Sequence, residues 1–114
     1  TEAKNLEFDR AEFGMIGLQT AFSSLLGLIS TELSLDILLE KLSNGPRLVL
    51  NLPTVKIEEG ELAKLTLLDT RLKWEYNQES NISKSINSPL LGHLLTGKSV
   101  GIINGEKSYF PGQV

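Results

Sequence analysis

The sequence predicts an α+β fold with helices first and strands after. Two rhythms and one turn signal predict it. Up to Pro53 the apolar residues return at three- and four-residue steps, the period of a helix with one buried face. Beyond Pro53 they alternate with polar residues, the period of a half-buried strand. Asn104-Gly105, between GII and EKSYF, marks a hairpin of antiparallel strands with a type I′ turn. Helices and strands segregated along the chain indicate α+β, not a wound parallel sheet.

The elements follow in order. Thr1–Glu12 is polar, lacks a period and reads as a loop. Met15, Leu18, Phe22, Leu25, Leu26 and Ile29 form the apolar stripe of a first helix, with Gly14 and Gly17 at its mouth. Ser34 is a good N-cap for a second helix that ends near Leu42 or Ser43. Asp36 near its start and Lys41 near its end suit the helix dipole. Asn44-Gly45-Pro46 stops that helix, and Pro46 suits the first position of a short third one running through Arg47 to Leu52, which Pro53 ends. Four or five strands are expected next. They lie around Val55 and Ile57, Leu65 and Leu67, Leu72, Trp74 and Tyr76, and on either side of Asn104-Gly105. Residues 77–87 (NQESNISKSIN) read as a polar loop, and the PGQV tail as frayed.

Composition excludes much chemistry. The chain has 114 residues, no Cys, one His and a formal net charge of −3. Absent Cys removes disulfides, thiolate metal sites and cysteine nucleophiles, and it agrees with a reducing, cytoplasmic setting. The acidic balance and the lack of a basic block argue against nucleic acid as a partner. No apolar run is long enough for a membrane span, and the charged start has no signal-peptide core. Leu occurs 22 times, but without the fixed period of a leucine-rich repeat. Taken alone, the composition describes a domain too poor in reactive side chains to be a complete enzyme.

The candidate constellations are few. His93 stands alone beside Gly92 and reads as a surface histidine. Glu58, Glu59 and Glu61 read as a solvated acidic turn, and Glu7, Asp9 and Glu12 as charges suited to the start of a helix. The string GHLLTGKS, Gly92–Ser99, matches the letters of a phosphate-binding loop. Such a loop follows a buried parallel strand and opens a helix. Here a short proline-broken segment precedes it and a strand follows, so nucleotide binding is not expected.

Four phrases carry a family resemblance. EFGMIGLQTAF, Glu12–Phe22, resembles the F-G-x-x-G-L-[EQ]-T-A segment of dihydroorotases, members of the amidohydrolase superfamily. LSLDILLEKLSNGPRLVLNLP resembles that family's helix pair, and IEEGELAKLTLLDT its I-x-x-G-x-x-A-D-L-x-L-x-D phrase. SKSINSPLLGHLLTGKSVGIINGEKSY resembles its S-K-x-x-N-[ST]-P-[FL]-x-G-x-x-L-x-G-x-V ending. The phrases occur in family order over almost the whole chain. Gln19, where many members have Glu, and Lys64, where many have Asp, depart from the pattern.

The resemblance implies the C-terminal region of a metal-dependent (β/α)8 hydrolase. Residues 1–53 would be the C-terminal helical part of the barrel. Residues 54–114 would be the C-terminal strands of a small composite β-sandwich domain. The parent would interconvert dihydroorotate and carbamoyl aspartate in pyrimidine synthesis, with zinc as cofactor and an aspartate as acid and base. The zinc ligands and catalytic residues would lie upstream of Thr1, so this chain alone is expected to hold no metal and to be inactive. Its one contribution to the site would be the backbone at Phe13 and Gly14, close to the substrate carboxylate. The expected partners are the missing N-terminal barrel of the same protein, a second copy through self-association, and aspartate carbamoyltransferase. The alternatives are a non-catalytic dihydroorotase-like structural protein and a hydantoinase or allantoinase relative.

Overall fold

The computed structural model describes Glu7, residues 14–30 and residues 33–111. Three short helices precede a sheet: α1 (Ala21–Leu26), α2 (Leu35–Leu42) and α3 (Asn44–Val49), then β1 (Lys64–Tyr76), β2 (His93–Asn104) and β3 (Lys107–Tyr109). The sheet is antiparallel in the order β1-β2-β3. The expected α+β order holds.

The predicted first helix shrinks from the span of its stripe to six residues. The backbone before it bonds elsewhere. The Ile16 N–H donates to the Asn87 carbonyl at 2.9 Å, and the Thr20 N–H closes a turn on the Gly17 carbonyl at 3.1 Å. Only part of the stripe is used: Phe22 and Leu26 reach the sheet at Gly97, whereas Met15 and Leu18 are 69% and 96% exposed.

The second helix is capped as its sequence indicates. The Ile37 N–H donates to Ser34 Oγ at 3.3 Å, and Asp36 and Lys41 occupy the first and last turns. The third helix begins earlier than Pro46 and ends earlier than Leu52. Asn51 takes a left-handed φ of 52°. The Leu52 and Asn51 N–H groups bond to the Arg47 and Leu48 carbonyls at 2.8 and 3.2 Å. This crossed pair is a Schellman closure, which stops the helix before Pro53 is reached.

There are three strands among the described residues, not four or five. Val55 and Ile57 form no strand, and Ile57 is 86% exposed. The two alternating runs at Leu65–Leu67 and Leu72–Tyr76 belong to one strand, β1. Their apolar positions differ in parity, odd in the first and even in the second, and an irregularity in the ladder absorbs the change. Between the pairs Asp69↔Lys98 and Lys73↔Thr96, β1 carries three residues and β2 only Gly97. Asp69 Oδ1 accepts the N–H groups of Arg71 and Leu72 at 2.8 and 3.0 Å, which shapes the bulge locally. The partner strand begins at His93, well before the GII segment that precedes Asn104-Gly105. Gly97 lies inside this strand opposite the bulge.

The final hairpin also shifts by one residue. Asn104 pairs with Lys107, so Gly105-Glu106 is the loop. Gly105 has φ +62°, while Glu106 is not among the positive-φ residues. A type I′ turn needs positive φ at both central positions, so Gly105 supplies the single one a II′-like turn requires.

The core is small. Among the described residues the buried hydrophobic side chains are Leu38, Trp74 and Tyr76, and the buried polar ones are Thr20 and Ser23. Trp74 and Tyr76 meet edge to face at 5.9 Å. At Gly97, φ is +86°, and an added Cβ would lie 2.5 Å from Leu26 Cδ2 and 3.1 Å from Phe22 Cε1. Gly97→Ala combines left-handed strain with crowding and is expected to cost about 1–3 kcal/mol. The check is the urea midpoint, which should fall; an unchanged midpoint would contradict the packing of α1 on β2.

Candidate functional site at the Gly14 segment

The residues between Gly14 and Gln19 are not helical, and their polar groups must bond elsewhere. They do so with the loop that joins β1 to β2. Asn87 Nδ2 donates to the Gly14 carbonyl at 2.8 Å, and the Asn87 carbonyl accepts the Ile16 N–H. Gln19 Nε2 donates to the Ser80 carbonyl at 2.6 Å, while its Oε1 accepts the Ile82 N–H at 3.0 Å. Four hydrogen bonds thus join segments more than 60 residues apart.

The loop is braced from within. Asn77 and Ser80 exchange bonds, the Asn77 N–H to Ser80 Oγ and the Ser80 N–H to Asn77 Oδ1, both at 2.9 Å. Asn81 accepts from Tyr76 Oη at 3.1 Å and donates to the Ser83 and Ser85 carbonyls at 3.2 and 2.8 Å. Asn and Ser supply these local turns because their short polar side chains reach nearby backbone. The loop's composition announced turns; its attachment to Gly14 and Gln19 is long-range and left no local signal.

The result is an exposed backbone edge. Gly14 is exposed with φ +54°. The N–H groups of Gly14 and Met15 meet no partner among the described residues. Free amide donors on a pinned segment suit a carboxylate or other anion. Phe13, the other predicted site residue, lies outside the described residues, as do Asp9 and Glu12.

The remaining candidates stay apart from this edge. His93 is exposed at the start of β2, opposite Tyr76. Glu58, Glu59 and Glu61 are exposed, with Lys56 Nζ 3.6 Å from Glu58. Among the described residues no three His, Asp or Glu side chains converge on a possible metal position. The phosphate-loop letters have other duties. Gly92, at φ +82°, turns the chain into β2 and donates its N–H to the Tyr76 carbonyl at 2.6 Å. Gly97 admits α1, Lys98 Nζ lies 4.6 Å from the centre of the Trp74 ring, and Ser99 pairs with Leu68 in the ladder.

No protein-family model matches the chain. Individual proteins do. The dihydroorotase of Caldicellulosiruptor saccharolyticus is 41% identical over 108 residues, 93% of this chain and 25% of that protein. The dihydroorotase of Endomicrobium trichonymphae is 38% identical over 107 residues, 91% of this chain and 25% of its own length. That of a Sulfurihydrogenibium species is 43% identical over 86 residues, 75% of this chain and 20% of its length. The chain therefore spans about a quarter of the curated relatives it matches, and the resemblance carried by the four phrases is borne out.

Gln19→Ala removes both side-chain bonds to the loop. At about 0.5–1.5 kcal/mol for each bond, the loop should open more often. Limited proteolysis should then nick residues 77–87 faster than in the unaltered chain; equal rates would show that Gln19 does not hold the loop.

Proposed function

From the premise that this chain is by sequence a dihydroorotase relative, we propose that it is the C-terminal part of a cytoplasmic dihydroorotase. The parent hydrolyses the ring amide of dihydroorotate to carbamoyl aspartate and closes it again, a step of pyrimidine synthesis. The observation that carries this reading is the likeness to named dihydroorotases over 93% of the chain. The joining of the first and fourth family phrases through Gly14 and Asn87 supports it.

On this reading residues 1–53 complete the parent's (β/α)8 barrel and residues 54–114 belong to a small β-sandwich. Phe13 and Gly14 offer backbone to the substrate carboxylate, and the Gly14 N–H, which meets no partner among the described residues, is a suitable donor. The zinc is then held by the remainder of the parent; among the described residues no three His, Asp or Glu side chains converge on a metal position. The remainder is also the proposed cover for the apolar surface left open here, including Met15, Leu18 and Leu94. In its absence the chain self-associates, because such surfaces favour contact with one another. Aspartate carbamoyltransferase is the proposed external partner.

The test is an assay of the full-length protein on dihydroorotate, a hydantoin and allantoin. Dihydroorotate should be turned over, a chelator should abolish turnover and zinc should restore it. The isolated chain should bind no stoichiometric zinc and show no activity. Turnover of a hydantoin or allantoin alone, or of none of the three, would replace this reading by one of its alternatives. Light scattering of the isolated chain should show a mass rising with concentration; a strictly monomeric mass would contradict self-association.

A further inference from the structure

Asn87 holds the candidate carboxylate-binding edge without being part of it. Its side-chain amide donates to the Gly14 carbonyl at 2.8 Å, and its backbone carbonyl takes the Ile16 N–H at 2.9 Å. These bonds fix the two ends of the Gly14-Met15-Ile16 tripeptide. Each bond has a consequence. The first orients the Gly14–Met15 peptide plane, because a carbonyl held by a donor cannot rotate freely. The second consumes the Ile16 N–H, so that the Gly14 and Met15 N–H groups are the donors of the segment without a partner among the described residues. Gly14, in the left-handed region and without a side chain, would otherwise rotate readily.

We propose that Asn87 is a positioning residue: by holding the Gly14 carbonyl it pre-sets the Met15 amide, which shares that peptide plane, for the substrate carboxylate. This rests on the dihydroorotase reading given above. Binding to a pre-set edge avoids the cost of ordering it, so the effect falls on substrate affinity. The carboxylate keeps its charge through ring opening, so its binding is nearly uniform between ground and transition states. Loss of uniform binding raises KM and spares kcat.

The test uses Asn87→Ala and Asn87→Asp in the full-length protein. Asn87→Ala removes the donor to Gly14 and keeps the backbone carbonyl. KM for dihydroorotate should rise about ten-fold, or ~1.4 kcal/mol, with kcat within about two-fold. Asn87→Asp also loses the donor and adds a negative charge near the edge. Its KM should rise further, and the added part should shrink as salt screens the charge. Exchange of the Ile16 amide should quicken in both variants while the β1–β2 amides keep their rates. A merely structural role would instead lower kcat, thermal midpoint and β1–β2 protection together, and would overturn the proposal. Unchanged KM and unchanged Ile16 exchange would also overturn it, with the dihydroorotase reading left standing. If the unaltered full-length protein does not act on dihydroorotate, that reading fails. The substrate role of Asn87 then falls with it, and Ile16 exchange still shows whether Asn87 orders the segment.

Discussion

One backbone carbonyl organises the packing of helix against sheet. The Gly97 oxygen accepts from Ser23 Oγ on α1 and from Trp74 Nε1 on β1, the latter at 2.9 Å, while Gly97 itself lies on β2. Three elements meet at one acceptor. Ser23 and Trp74 are buried, so each donor must be satisfied within the fold. Trp74 Nε1 also lies 3.3 Å from Ser23 Oγ, which closes the triangle. The arrangement requires a residue without a side chain at 97, because Phe22 and Leu26 occupy the space a Cβ would take.

The same requirement explains the bulge. Gly97 is the β2 residue facing the extra length of β1 between Asp69 and Lys73. The bulge carries the apolar alternation from odd to even positions and brings Trp74 and Tyr76 to the buried face. Tyr76 then reaches Asn81, Asn81 braces the loop, and the loop holds Gly14 through Asn87 and Gln19. A packing decision in the sheet is thereby linked to the conformation of the proposed substrate edge. The link consists of short polar contacts, and among the described residues only three hydrophobic side chains are buried.

The legible parts of the fold were those set by neighbouring residues. Ser34 announced its cap because capping spans three residues, and helices preceding strands followed from the change of period. The unread parts were set across the chain. The helix start at Ala21 depends on Asn87 taking the Ile16 N–H, a partner 71 positions away in sequence. Val55 and Ile57 alternate like a strand but find no strand to pair with among the described residues, and a strand without a ladder has no reason to form. The candidate site was legible at Gly14 only through family resemblance. Its supports, Asn87 and Gln19, lay inside the quoted phrases without a role, because hydrogen bonds between distant segments leave no spacing to read.

On the proposed reading, the Gly14 edge, held by Asn87, receives the carboxylate of dihydroorotate in the full-length protein. A crystal structure of that protein with dihydroorotate tests this most directly. A carboxylate oxygen should lie within about 3.2 Å of the Gly14 or Met15 nitrogen, with Asn87 Nδ2 still on the Gly14 carbonyl. A carboxylate bound away from both amides, or a Gly14 segment released from Asn87 in the complex, would contradict the account.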